Sequence, residues 1–182
     1  MIPLCIVPHA VTDDALQKLR AEAAQLQFLP ATTIDTLGQE VLDHHSRSSY
    51  VAEASWIERH SSVVRTLEDL LVAVNASHFH LRISKSFRWQ MLKYESGGFH
   101  SWHTDWKFSE ELSRKLTVVL QISNGDDYMG ADLLVNGSEV EVGSRRAGDA
   151  NVFHGLATHR VTPLMRGSRV VLVGWVLGPH FA

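Results

Sequence analysis

The sequence contains a single cysteine, Cys5, so no disulfide can close within the chain and no cluster of thiolates can hold zinc. It has no apolar run near the roughly 20 residues that span a bilayer. It also has no block of Lys or Arg, and with a net charge of −3 nothing draws it to a phosphate backbone or an anionic surface. These absences disfavour nucleic acid and membrane as partners and suit a soluble protein of the reducing cytoplasm. The apolar opening from Met1 to Pro8 lacks a basic leader and is broken by Pro3 and Pro8, which reads as a first strand and not a signal peptide. What is present is 182 residues, 45% of them hydrophobic. That supports one core and leaves little room for a second, so a single domain over 1–182 is expected.

The chain changes character near its middle. Thr12 is placed to cap a helix whose first turn carries Asp13 and Asp14 and whose apolar face is Leu16, Leu19, Ala23 and Leu26, with Pro30 as its stop. The polar stretch from Thr32 to Tyr50, with Gly38 inside it, reads as a loop or irregular strand pair. His44, His45, Arg47 and Tyr50 there are a solvated loop first and a substrate lid second. A second helix starts at a Ser55-x-x-Glu58 capping box and buries Val63, Val64, Leu67, Leu70, Leu71 and Val74. From Phe87 onward, short β-forming runs alternate with Gly, Asn and Asp: Phe87 to Tyr94, Leu116 to Ser123, Asp132 to Val135, Glu139 to Val142, Ala150 to Phe153 and Arg169 to Leu177. The expected fold class is mainly β with N-terminal α-helices, a sandwich or jelly roll against which the helices pack. Residues 1–86 form the helix-rich support and 87–182 the β core.

Chemistry concentrates in two places. In Phe99-His100-Ser-Trp-His103-Thr-Asp105, His103 and Asp105 are two apart, so on an extended chain an imidazole and a carboxylate share one face. Two His and one carboxylate on one face of an octahedron are the usual iron(II) set of oxygenases, leaving three positions open. His159 is the preferred third member over His154, because it stands just ahead of the last strand with an Arg ten residues on. His100 and His103, three apart, are expected on opposite faces and not as a zinc pair. In the last strand Arg169 alternates onto the same face as Val171, Val173 and Trp175. A guanidinium aimed into apolar surroundings needs a partner. A dicarboxylate supplies one through two parallel hydrogen bonds, which fits 2-oxoglutarate chelating a metal at its other end.

The segments Tyr94 to Asp105, Leu116 to Ser123, Gly130-Ala-Asp-Leu133, and Ala147 to Phe153 through His159, Arg169 and Trp175 together resemble the prolyl-4-hydroxylase-like branch of the iron(II)/2-oxoglutarate oxygenases. The resemblance is strong over the C-terminal half and looser over the N-terminal half. It implies a double-stranded β-helix, with iron(II), 2-oxoglutarate and dioxygen as cofactor and cosubstrates and ascorbate as a candidate reductant. It also implies that Tyr94 and Gln121 flank the cosubstrate, although relatives often carry Tyr at the position of Gln121 and Gly-Gly at that of Gly130-Ala131. Tyr94 and Trp175 each remain open between cosubstrate contact and plain core aromatic. Trp102, Trp106 and Tyr128 either line the substrate mouth or pack.

The activity so implied couples oxidative decarboxylation of 2-oxoglutarate to hydroxylation of an unactivated C–H bond in a small-molecule or peptidyl, amino-acid-derived substrate. The competing class is a metal-binding jelly roll without catalysis, or a cupin-like protein. Asp105 occupies the position that a halogenating relative leaves vacant. Trp175 stands where the DNA-demethylating branch carries a second Arg.

Overall fold

The computed structural model describes residues 4–34, 39–52, 56–106, 112–136 and 139–180. The N-terminal half contributes β1 (Cys5–Val7), α1 (Asp13–Gln25), β2 (Phe28–Pro30), β3 (Thr33–Ile34), β4 (Glu40–Val41), β5 (Arg47–Ser48), β6 (Tyr50–Ala52), α2 (Trp56–Arg59) and α3 (Ser61–Val74). Apart from a π-helical turn at Asn75–Phe79 and a 3-10 turn at Gly125–Asp127, the remaining regular structure is strand: β7 (Ser86–Tyr94), β8 (Phe99–His103), β9 (Ser113–Gln121), β10 (Met129–Gly130), β11 (Leu133–Asn136), β12 (Val140–Val142), β13 (Ala150–His154), β14 (His159–Val161), β15 (Leu164–Arg166) and β16 (Arg169–Gly178).

Thr12 caps α1 as its sequence predicts, its Oγ1 accepting from the Ala15 N–H at 3.2 Å. Pro30 is not the stop: the backbone is already extended at Leu26 because the chain leaves the helix to pair β2 with β6, and Pro30 ends β2 opposite Tyr50. The predicted second helix is two pieces, α2 and α3, separated at His60, whose Nε2 lies 3.0 Å from the Glu22 carboxylate of α1. The Ser55-x-x-Glu58 capping box and Gly38 lie outside the described residues.

The strands build a seven-stranded antiparallel sheet in the order β1-β13-β9-β16-β7-β6-β2 and a five-stranded one in the order β12-β11-β14-β8-β5, with two small pairs, β10-β15 and β3-β4. From β7 on, the chain passes repeatedly between the two large sheets, the jelly-roll manner of building two layers from one run of antiparallel strands. On one face of the larger sheet, Met91, Leu116, Val118, Leu120, Leu172 and Val176 pack with Leu16 and Leu19 of α1 and Val64, Leu67 and Leu71 of α3. On its other face Tyr94, Val119, Val171 and Val173 meet Leu133, Val135 and Val161 of the smaller sheet. Burial on both faces is why β16 reads as one continuous apolar run. β5, β8 and β14 were hidden in the sequence by polar and histidine-rich composition. Among the described residues no helix is long and apolar enough to cross a membrane.

Gly174 marks the tightest approach between strand and side chain. It pairs with Trp89, whose ring lies where a Gly174 Cβ would come within 2.3 Å of Cζ3, and the Trp89 indole is tied by Nε1 to Glu68 of α3 at 3.1 Å. The ring therefore cannot swing aside without breaking that bond. Gly174→Ala is expected to lower stability by about 1–3 kcal/mol through overpacking, read as an earlier urea midpoint. An unchanged midpoint would show that the Trp89 contact is slack.

Candidate metal centre and its cavity

β8 and β14 are neighbours, and His103 stands directly opposite His159. Their register shifts, four residues of β8 from His100 to His103 facing three of β14 from Val161 to His159. This bulge inserts one residue and reverses the alternation beyond it. His100 and His103 are therefore not on opposite faces as simple alternation predicts: their rings stack with centroids 3.5 Å apart and planes at 23°. β8 ends at His103, and Asp105 follows in a non-strand segment anchored by its N–H to Gly155 O at 3.2 Å.

His103, Asp105 and His159 each place one donor atom within 4.8 Å of the others. His103 Nδ1 lies 2.8 Å from Ser101 O and His159 Nδ1 lies 3.0 Å from Ala157 O. Each Nδ1 must carry the hydrogen to donate to its carbonyl, which leaves both Nε2 lone pairs pointing at Asp105, 3.9 Å and 3.6 Å away. The Asp105 Oδ2 accepts from Thr117 Oγ1 at 2.7 Å. Backbone carbonyls that fix the tautomer and a hydroxyl that orients the carboxylate are the supports a first-row divalent metal requires of its ligands. Phe153 packs on His159, centroids 4.7 Å apart, and closes the inner side. His154, the other candidate, ends β13 with its Nδ1 accepting from Leu156 N–H at 3.0 Å and does not join the group.

The group opens into a cavity of about 1250 Å³ between the two sheets. Along its wall, Arg169 on β16 pairs with Tyr94 on β7, and its guanidinium carbon lies 5.7 Å from the Tyr94 ring centre. Arg169 is 1% exposed; its Nε donates to Gln121 Oε1 at 3.2 Å, and its Nη1 is buried without a hydrogen-bond partner. Tyr94 and Gln121 are thus brought to Arg169 itself. Trp175 lies six residues further along β16, at the Asp105 end of the cavity, under the Arg114 guanidinium at 4.0 Å. Trp102 and Trp106 line the cavity, whereas Tyr128 packs, 4% exposed, beneath Arg145.

Four residues of this lining were missed or misread in the sequence. Thr117 shares strand parity with Val119 and Gln121 and was there to be found. Arg114 escapes that parity because β9 and β16 shift register between Val176 and Leu177, so it lines the cavity, with Nη1 4.0 Å from Asp105 Oδ1, while neighbouring Lys115 does not. His100 is hidden by the bulge. Arg47, read as part of a solvated loop, enters the cavity wall from β5.

The electrostatics follow from burial. His100 is pushed down to about 2, by burial first and then by His103 and Arg47. Burial and then His159 lower His103 to about 4. For Asp105 burial pushes up, but the pull of His159, His103 and the Thr117 hydroxyl outweighs it and holds the carboxyl below its ordinary range. Burial raises the Tyr94 phenol. At neutral pH the cavity therefore offers neutral His103 and His100 imidazoles and an ionised carboxylate.

A model of the 2OG-Fe(II) oxygenase superfamily matches residues 89–177. Over that stretch the chain is similar to that superfamily. Its name states the iron(II) and 2-oxoglutarate that the family implies. The chain is 29% identical over 161 residues to a PKHD-type hydroxylase of Maricaulis maris, covering 88% of this chain and 62% of that one, and 23% identical to one of Picosynechococcus, covering 93% and 76%. It therefore spans about three fifths of the length of the Maricaulis relative. Among solved structures, a Pseudomonas putida prolyl-4-hydroxylase superposes with a TM-score of 0.75 at 21% identity, covering 99% of this chain and 95% of that one. A Trichoplax adhaerens prolyl hydroxylase, solved with a hypoxia inducible factor peptide fragment, superposes with a TM-score of 0.71 at 16% identity, covering 95% and 82%. These neighbours share the fold of this chain.

Because His100 and His103 take up protons near 6.5 when unfolded but only near 2 and 4 when folded, the unfolded chain gains protons first as pH falls. The metal-free protein is expected to hold full stability above about pH 6.5 and to lose about 1.4 kcal/mol per pH unit per imidazole below it, toward about pH 4. Urea unfolding between about pH 7.5 and 5 measures this. His100→Phe should roughly halve the slope, and a flat profile for the parent would show that these rings titrate normally.

Proposed function

We propose that this chain is an iron(II)- and 2-oxoglutarate-dependent oxygenase, a hydroxylase acting on an amino-acid-derived substrate that is free, peptidyl or a natural product. One observation carries the reading: the His103–Asp105–His159 group stands in the same cavity as a buried Arg169 whose Nη1 has no protein partner. In this reading the Nε2 atoms of His103 and His159 and the Asp105 carboxylate hold the metal. Arg169 grips the distal carboxylate of 2-oxoglutarate, with Gln121 fixing the plane of the guanidinium through Nε and Tyr94 walling the pocket beside it.

The bound iron supplies the activation of dioxygen by which 2-oxoglutarate is converted to succinate and carbon dioxide and one oxygen atom enters a C–H bond. The protein's part is to fix both imidazole tautomers, to orient Asp105 through Thr117 and to keep the inner wall dry with Phe153, Val161 and Val171. Asp105 fills the position a halide would need, so hydroxylation is the outcome assigned, with ascorbate the candidate reductant. We further propose that residues 1–182 act as one oxygenase domain, with about 1–86 as support and about 87–182 as a double-stranded β-helix. The alternating passage of the chain between sheets and the insertion of β2, β5 and β6 into both of them support that.

His103→Ala, Asp105→Ala and His159→Ala should each abolish iron binding or turnover while the domain stays folded. Anaerobic iron(II) with 2-oxoglutarate should give the weak visible absorption of a chelate in the parent and not in these variants; full 2-oxoglutarate turnover by any one of them removes that residue from the site. A metal-binding jelly roll without catalysis would show no such band.

Arg169→Leu should weaken 2-oxoglutarate binding by roughly 30-fold to several thousand-fold, the loss of a charge-assisted bidentate contact to a buried partner, with iron(II) affinity nearly unchanged. Arg169→Leu that binds 2-oxoglutarate like the parent would make Arg169 structural.

A further inference from the structure

The reading above uses Arg169 and leaves three more guanidinium groups on the same cavity lining, Arg47, Arg88 and Arg114. Arg88 is exposed at the mouth, and Arg114 lies against Trp175 and Asp105. Arg47 is different. It stands on β5 opposite His100 and lines the cavity, near enough to Tyr94 and Asp105 for their charges to act on it. Its Nε donates to Ser49 Oγ at 2.7 Å and its Nη1 to Thr32 O at 3.4 Å. Both partners are neutral, and among the described residues no carboxylate lies within the 4.0 Å of an ion pair with it. The two bonds hold the guanidinium plane and leave its Nη2 edge with no donor commitment to a described residue.

Charge balance gives this consequence. A divalent cation and a dicarboxylate cancel, and the lining carries four guanidiniums, Arg47, Arg88, Arg114 and Arg169, against three carboxylates, Glu40, Asp43 and Asp105, so the loaded site keeps one surplus positive charge. A half-buried cation held only by neutral groups gains from an anionic partner, and partial burial already lowers its proton affinity. The cavity, about 1250 Å³, is larger than a five-carbon diacid fills and has room for a second molecule beside it.

We propose that Arg47 binds a carboxylate of the primary substrate, so that the substrate class is anionic, its carboxylate being either a free main-chain terminus or an acidic side chain. The inference rests on the oxygenase reading.

The test uses the full chain loaded anaerobically with iron(II) and 2-oxoglutarate. The probes are N-acetyl-L-amino acids and their carboxamides, together with N-acetylated, C-amidated dipeptides containing Asp or Asn. Binding is read as a shift of the chelate absorption. Acids should bind about 30-fold or more tighter than the matching amides; Arg47→Gln should erase that preference, and Arg47→Lys should restore part of it, with 2-oxoglutarate affinity as in the parent. The free acids and the Asp dipeptides distinguish the two carboxylate sources. Equal binding of acids and amides, binding of no acid at all, or an Arg47→Gln defect confined to 2-oxoglutarate would overturn the proposal, the last by assigning Arg47 to the cosubstrate. These outcomes are read with the chelate band present; a parent that never forms the band defeats the oxygenase reading instead, and this inference with it.

Discussion

The site depends on the burial of the larger sheet on both faces. Helices cover one side and the smaller sheet the other, so every side chain of β16 must be apolar or be satisfied by something specific. Leu172 and Val176 satisfy the rule on the helix side, and Val171 and Val173 on the side of the smaller sheet. Arg169 satisfies it only in part, through Gln121. The same strand thus holds the core together and carries the one arginine fully buried among the described residues, whose Nη1 has no hydrogen-bond partner there. Stability and the wall of the cavity are set by the same layer.

Proton accounting completes the site. A metal competes with protons for imidazole, and a buried imidazole is cheap to keep neutral and expensive to charge. Here the crowding of three histidines does part of that work, since His159 and His100 both stand close to His103. The carboxylate is kept ionised by its neighbours against its own burial. His103 stays neutral and Asp105 ionised before any cation arrives.

The sequence disclosed those parts that obey simple periodicity. Arg169 with Val171 and Val173, the Thr12 cap of α1 and the apolar face of α3 follow directly from spacing, and the pairing of His103 with Asp105 was proposed from it although Asp105 lies outside the strand. The parts that escaped are those governed by pairing with a distant strand. Arg114 reaches the cavity through a register shift set by β16, and Thr117 gains meaning only once Asp105 is beside it. Arg47 looked like a loop residue because β5 is two residues long and owes its place to β8. Local composition carries no record of such partners. The early end of α1 has the same origin, since β2 is drawn out by β6 and not by Pro30.

The bulge in β8 has a consequence for how this chain can vary. One surplus residue between His100 and His103 turns both imidazoles to the same side and leaves Trp102 at the rim of the cavity, 41% exposed beneath the Arg160 guanidinium. Chain length in this strand is therefore as strict a determinant as residue identity. A variant shortened there by a single position would keep every histidine and every strand, yet would present an indole where an imidazole now stands. Substitutions in β8 away from His100 and His103 leave the two imidazoles facing as they do, whereas gains and losses of length turn them, and drift in this segment is confined to substitution.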